Sequence, residues 1–301
     1  MTNIADYDEH GAGPEWWQTA ISRVRPNEID LRGYPIEQLI GVVSFADVIW
    51  LLLRGDLPSP RQSALLEAAL VASVDHGPQA PSIASARMAM TCGVGLNNAV
   101  ASGVNALGDV HGGAGQQCMT LLGELHSLIR DQHSAEAVVD DYLAQVRRQR
   151  QHVPGFGHRF HTRDPRRDPL LALVSRAVAD GVVEGRYLRI AELIEKALGA
   201  GARPIPMNID GVTAVVYAEL GFAPELGRGL FVLSRSVGIV AHAWEESTSG
   251  ARIKGPLPRT MLPSYSGTPR RNLTDADAWM TESRLRTQPL TSGARPTTGD
   301  S

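Results

Sequence analysis

Apolar residues recur at helical spacing along most of this chain, and long alternating runs are missing. An apolar stripe of period 3.6 has to be buried against a neighbour, which restricts the chain to helices packed on helices. The spacing predicts helices near 36–54, 60–75, 82–106, 112–130, 134–150, 168–182, 186–198, 209–220 and 224–246. One short β hairpin is expected between Ile21 and Tyr34, where Val24, Ile29 and Leu31 flank Pro26-Asn27. The expected fold class is all-α.

The stretch from Ser82 to Ala106 carries little side-chain bulk: Ala84, Ala86, Ala89, Gly93, Gly95, Ala99, Ala101 and Gly103. Glycine inside a helix costs roughly 1 kcal/mol against alanine, so close helix–helix approach has to offset it. One central helix tightly surrounded by others, near a subunit interface, is the expectation. Gly93-x-Gly95 is no dinucleotide loop, because it follows no strand and the glycine pattern fails at Asn98.

At 301 residues, one large or two unequal domains are expected. A net charge of −3 gives no electrostatic case for a nucleic-acid partner. Cys92 and Cys118 have neither disulfide-framework nor metal-site spacing and read as buried thiols in a reducing compartment. The start, Met1-Thr2-Asn3-Ile4-Ala5-Asp6, does not read as a signal peptide. The most apolar run, Val48 to Leu53, is too short to span a bilayer and ends at Arg54. No membrane partner and a cytoplasmic setting are therefore expected. Segments 1–14 and 289–301 are expected to be mobile.

Three polar motifs interrupt the apolar pattern: Gly108-Asp109-Val110-His111-Gly112-Gly113-Ala114, Val153-Pro154-Gly155-Phe156-Gly157-His158-Arg159 and Pro206-Met207-Asn208-Ile209-Asp210-Gly211. Each delivers one titratable side chain among residues that allow tight turns and close backbone approach. Two histidines and a carboxylate are what enolisation beside a carbonyl requires. Taken singly, each histidine also fits a turn or a satisfied core position, and Asn208-Ile209-Asp210 also fits a helix N-cap. Arg235 lies in an apolar helix, where an unpaired guanidinium is costly; it should face a carboxylate of the chain or a ligand. A metal site at His152, His158 and His161 is disfavoured, since Pro154, Gly155 and Gly157 break the helix turn it would need.

The ordered series of motifs resembles the citrate synthase superfamily, from about Trp17 to about Ser266. Supporting segments are Ile29-Asp30-Leu31-Arg32-Gly33-Tyr34-Pro35-Ile36-Glu37, Val74-Asp75-His76-Gly77-Pro78, Thr162-Arg163-Asp164-Pro165-Arg166 and Leu233-Ser234-Arg235-Ser236-Val237-Gly238. The chain is most similar to the short members, the citryl-CoA lyases and the lyase module of ATP-citrate lyase. Leu57-Pro58 is followed within about 20 residues by Asp75-His76, leaving no room for the long helical insertion of full-length citrate synthases.

The resemblance implies a large helical domain (15–111 and 224–288) and a small mobile one (112–223). It implies that Asp210 is the base at an acetyl thioester methyl, that His111 stabilises the enol, and that His158 serves the ketone oxygen of a 2-oxo acid. Arg166 and Arg235 would bind that acid, with His76 alongside, and Arg259 would reach into a neighbouring subunit's site. Gly155, Gly157 and Arg159 would contact coenzyme A, which acts as a thioester substrate; no permanently bound cofactor and no metal are implied. Two departures stand out. The His158–Asp164 loop is one residue shorter than in typical citrate synthases, and Gly112-Gly113-Ala114-Gly115-Gln116 follows His111 where many have an asparagine.

The expected reaction is cleavage of citryl-CoA to acetyl-CoA and oxaloacetate, with a small citrate or 2-methylcitrate type of synthase as the alternative. A non-catalytic binding subunit fits poorly, because all three chemical positions are kept. A homodimer or dimer of dimers is expected, with a separate citryl-CoA synthetase as a partner.

Overall fold

The computed structural model describes residues 17–130, 134–201, 203–255 and 259–271. The segments expected to be mobile, 1–14 and 289–301, lie outside them. The chain divides into two units, 1–255 and 256–301. In the second, the described residues hold one 3-10 turn, Arg259–Met261.

The first unit begins with the expected hairpin. β1 (Ser22–Arg25) pairs antiparallel with β2 (Glu28–Leu31), Ser22 opposite Leu31, and β3 (Tyr34–Pro35) pairs with β2. Asn27 takes the left-handed conformation that the turn requires. The Arg32 guanidinium donates to the Leu52 carbonyl at 2.7 Å, tying the hairpin to the helices.

Eleven helices follow among the described residues: α1 (Ile36–Leu39), α2 (Phe45–Arg54), α3 (Pro60–Ser73), α4 (Pro81–Thr91), α5 (Leu96–Asn105), α6 (Ala114–Arg130), α7 (Ala135–Gln149), α8 (Arg167–Ala179), α9 (Arg186–Gly199), α10 (Ile209–Glu219) and α11 (Pro224–Thr248). Two segments expected as single helices are broken. In 36–54, Ser44 and Asp47 form a reciprocal capping box that starts α2 afresh after Gly41. In 82–106, Gly93 adopts φ +85°, and Gly95 then caps α5.

Close approach does explain the small residues. A Cβ on Gly103 would lie 2.7 Å from the Ser82 carbonyl oxygen and 2.8 Å from Ile239 Cγ2, so α5 lies tight against both α4 and α11. These helices enclose a small core of Ala80, Ile83, Ala86, Ala99, Ile239 and Ala243.

The helix surrounded on all sides is a different one. Every residue of α10 from Gly211 to Ala218 is buried, within a larger core that also draws on α2, α3 and α6 to α9. An all-round apolar helix has to be central, and the N-terminus of α10 opens at the site described next.

Candidate active site

Backbone contacts join two of the three motifs, those of His158 and Asp210. Asn208 caps α10: its side-chain oxygen accepts from the Asp210 and Gly211 amides at 2.9 and 3.2 Å. The capping role therefore falls to Asn208, and Asp210, half-buried in the first turn, makes no side-chain hydrogen bond among the described residues. Burial pushes the Asp210 carboxyl up; Arg166 and Arg235 oppose that, and Asp164 reinforces it.

The His158 loop is stitched to the same helix end. The Asn208 amide donates to the Gly155 carbonyl at 2.9 Å, Asn208 Nδ2 donates to the Gly157 carbonyl at 2.6 Å, and the Gly157 amide donates to the Pro206 carbonyl at 2.8 Å. A Cβ on Gly155 would lie 2.7 Å from Gly211 Cα and 2.9 Å from the buried Cys118 Sγ. Gly155 is itself buried, so the role the structure gives it is packing, in contrast to the coenzyme A contact expected of it. Gly157 is half-buried and Arg159 exposed. Cys118, beside Asp210, has its thiol pushed up to about 12 by burial. Cys92 is exposed, which corrects the expectation that both thiols are buried.

His158 Nδ1 accepts from the backbone amides of Phe160 and His161 at 3.0 and 3.1 Å. Two donors on Nδ1 place the proton of the neutral ring on Nε2. His76, exposed just beyond α3, stands edge-on to His158 with ring centres 5.2 Å apart. Burial lowers the pKa of both rings. His161 and Arg166 add to this at His158, while Arg166, His158 and Arg235 add to it at His76.

His111 meets the start of a helix that precedes it in the chain: Nε2 accepts from the Ser82 amide at 3.1 Å and lies 3.0 Å from Ser82 Oγ, in the first turn of α4. An amide donating to Nε2 leaves the proton on Nδ1, and the positive end of α4 disfavours imidazolium. Burial, then Arg235, lowers the pKa. Ser82 is fully buried; nothing in its small-residue surroundings singles it out in the sequence.

Arg235 is 4% exposed on α11. Its Nε donates to the Ser73 carbonyl at 3.1 Å, and its guanidinium carbon lies 4.9 Å from the centre of the Phe231 ring. Among the described residues no carboxylate comes within ion-pair distance of it. Burial lowers its pKa, against the pull of Asp210 and Asp75.

Arg166 differs. Its Nε and Nη2 hold both oxygens of buried Asp164 at 2.9 and 2.8 Å, and the Ile209 amide donates to the same carboxylate at 3.3 Å. Its fork, expected to take substrate, thus braces the start of α10. Arg259 belongs to the second unit. Among the described residues no three potential ligands gather as a metal site, and no helix is long and apolar enough to cross a membrane.

Comparison with known proteins fits this geometry. The family model for the citrate synthase C-terminal domain matches residues 13–68 and 58–256. The structure of citryl-CoA lyase from Hydrogenobacter thermophilus is 35% identical with a TM-score of 0.77, over 86% of this chain and 98% of that one. Citrate synthase from Deinococcus radiodurans is 31% identical over 206 residues, 67% of this chain and 52% of its own. An ATP citrate lyase from Methanosaeta concilii shares the fold, with a TM-score of 0.71 at 20% identity over 89% of this chain and 45% of that one. The chain spans about half the length of the curated citrate synthases it matches. Its helices, its joined His158 and Asp210 motifs and the family match together place the chain in the citrate synthase family, as an enzyme with the citrate-synthase-like all-α fold and without the long N-terminal insertion.

Proposed function

We propose that this protein cleaves citryl-CoA to acetyl-CoA and oxaloacetate. The observation that carries the reading is the 35% identity to a citryl-CoA lyase over 98% of that chain, whereas about half is spanned of the citrate synthases from Deinococcus radiodurans, Mycolicibacterium smegmatis and Acidithiobacillus ferridurans. In the condensing sense, Asp210 takes a methyl proton from acetyl-CoA while Nδ1–H of His111 stabilises the oxyanion developing on the thioester. The enol carbon attacks the ketone of oxaloacetate, and His158 donates from Nε2 to the ketone oxygen. Its two amide donors on Nδ1 strengthen as that proton leaves. Cleavage runs the same steps backward: Nε2 of His158, in the form that has given up its proton, takes the tertiary hydroxyl proton, the carbon–carbon bond breaks, and protonated Asp210 delivers a proton to the enol carbon. Burial raises the pKa of this carboxyl, which makes Asp210 a stronger base toward the methyl proton than an exposed carboxylate.

Arg235 takes a substrate carboxylate, with His76 beside it and Arg166 holding the floor of the site through Asp164. Gly157 and Arg159 line the approach of the thioester substrate, and Arg259 serves a neighbouring subunit in a homodimer or dimer of dimers. Within the first unit, 17–111 and 224–255 belong to the large domain that the resemblance implies, and 112–223 to the small one. His111 and Arg235 then come from one domain, His158 and Asp210 from the other. A separate ligase that makes citryl-CoA, in the cytoplasm, completes the proposal.

Synthetic citryl-CoA given to the purified protein tests it, with oxaloacetate, acetyl-CoA, citrate and free CoA followed together and Asp210→Asn as the control. Oxaloacetate with acetyl-CoA, lost in the variant, is the expected result. Citrate with free CoA would instead favour a small synthase, the reading supported by the citrate synthase names of the sequence relatives. Turnover undiminished in Asp210→Asn would remove Asp210 as the base.

A further inference from the structure

His161 has no part in the chemistry above, yet it grips His158 twice. Its amide is one of the two donors on His158 Nδ1, at 3.1 Å. Its ring lies against the His158 ring, with centres 4.5 Å apart and planes tilted by 31°. The distance is that of a stacked pair, with the planes inclined to one another. His76 meets His158 edge-on at 5.2 Å and lies 6.2 Å from His161, so two imidazoles pack against the proton-transferring one. The His161 ring is half-buried and makes no side-chain hydrogen bond or ion pair among the described residues.

The loop beneath is fixed on its far side. Arg163 pairs with Asp168 at 2.7 Å, and Arg166 with Asp164. The charged and titratable groups facing His158 are thus His76 beyond α3, His161 on its own loop, and Asp164 and Arg166 leading into α8. Only Asp164 favours a cation on His158; burial, His161 and Arg166 oppose it.

We propose that the His161 side chain is a positioning residue for His158, holding its ring by stacking so that Nε2 faces the substrate. The rate effect of this inference rests on the citryl-CoA reading; the effect on His158 itself does not. In the condensing sense a ring with its proton on Nε2 is the form that gives a proton to the ketone oxygen, and imidazolium would set an N–H against the two amide donors on Nδ1. A small displacement of a reacting group costs up to about 100-fold in rate, so the stack has kinetic weight.

Two variants and two readouts test the assignment. In His161→Ala, kcat for citryl-CoA cleavage should fall by about tenfold or more with KM little changed, and His158, followed by imidazole NMR in the free protein, should titrate at higher pH. His161→Phe keeps a stacking ring and should restore most of kcat. A kcat unchanged in His161→Ala, a change confined to KM, or failure of phenylalanine to rescue would overturn positioning. An unmoved His158 titration in His161→Ala would overturn the contact between the two rings. A wild-type protein inert toward citryl-CoA would defeat the functional reading, and the NMR titration would still decide whether His161 acts on His158.

Discussion

Arg235 and Glu246 sit on one helix, roughly three turns apart, and are almost equally buried at 4% and 2% exposure. Their surroundings are opposite. Glu246 accepts from Arg87 Nε at 2.5 Å and from Lys254 Nζ at 2.7 and 2.9 Å, with Ser249 Oγ at 3.3 Å. Hydrogen bonding from Lys254, then from Arg87, holds its carboxyl below the usual range although burial pushes the other way. Arg235 has one carbonyl and an aromatic face, and burial lowers its pKa. A lowered pKa means a favoured charge for the acid and a disfavoured charge for the base. Where the chain supplies the counter-charge, a buried ion serves the fold. A site lacking that counter-charge is tuned for a charge brought from outside.

Removing each charge should separate the two cases. The larger effect belongs to Arg235→Leu, which should weaken oxaloacetate or citrate binding by about 2–5 kcal/mol. It should leave thermal stability unchanged or raised, since an uncompensated buried cation is gone. Calorimetric titration beside a melting curve reads both, and unchanged affinity would make Arg235 a structural residue like Glu246. Glu246→Gln should do the reverse. Breaking a fully buried pair costs about 3–5 kcal/mol, but Lys254 is 44% exposed, so a loss of about 2 kcal/mol is expected in urea unfolding. Affinity for the oxo acid should not change; if it fell along with stability, the division between the two ends of α11 would fail.

Much of this arrangement was legible in the sequence because helical period and local punctuation carry it. Helices α3, α6 to α9, α10 and α11 fall where apolar spacing puts them. The breaks were missed where one residue overrides the period: the Ser44–Asp47 box is readable as a motif, but the φ +85° at Gly93 is a backbone fact without its own signal. Small residues at 82–106 correctly indicated close packing yet drew attention from α10. There the polar Asn208 and Asp210 at the start concealed a run buried all round. At the site, the motifs named His111, His158 and Asp210, but which helix end meets His111 depends on a contact across 29 residues of chain. The Arg87–Glu246–Lys254 cluster was unreadable for the same reason: Arg87 lies 159 residues from its partner.

The smallest effect concerns the carboxylate next to the site that the chain does satisfy. Asp164 is buried, which pushes its pKa up; hydrogen bonds from the Arg166 side chain and amide and from the Ile209 amide outweigh this and bring it down to about 2. In the unfolded chain the group sits at its ordinary value of 3.8. A depressed folded value stabilises the fold above the unfolded value, and that contribution is lost as pH falls from about 4 toward 2, on the order of 1–2 kcal/mol. Asp210 runs the other way, since burial favours its neutral form and acidification relieves it. Unfolding free energy measured between pH 5 and 2 should therefore fall more steeply in the wild type than in Asp164→Asn. Asp210→Asn should fall more steeply than the wild type, because it lacks the relief. Parallel curves for all three proteins would mean that neither carboxylate's surroundings distinguish charge held by the chain from charge awaiting a ligand.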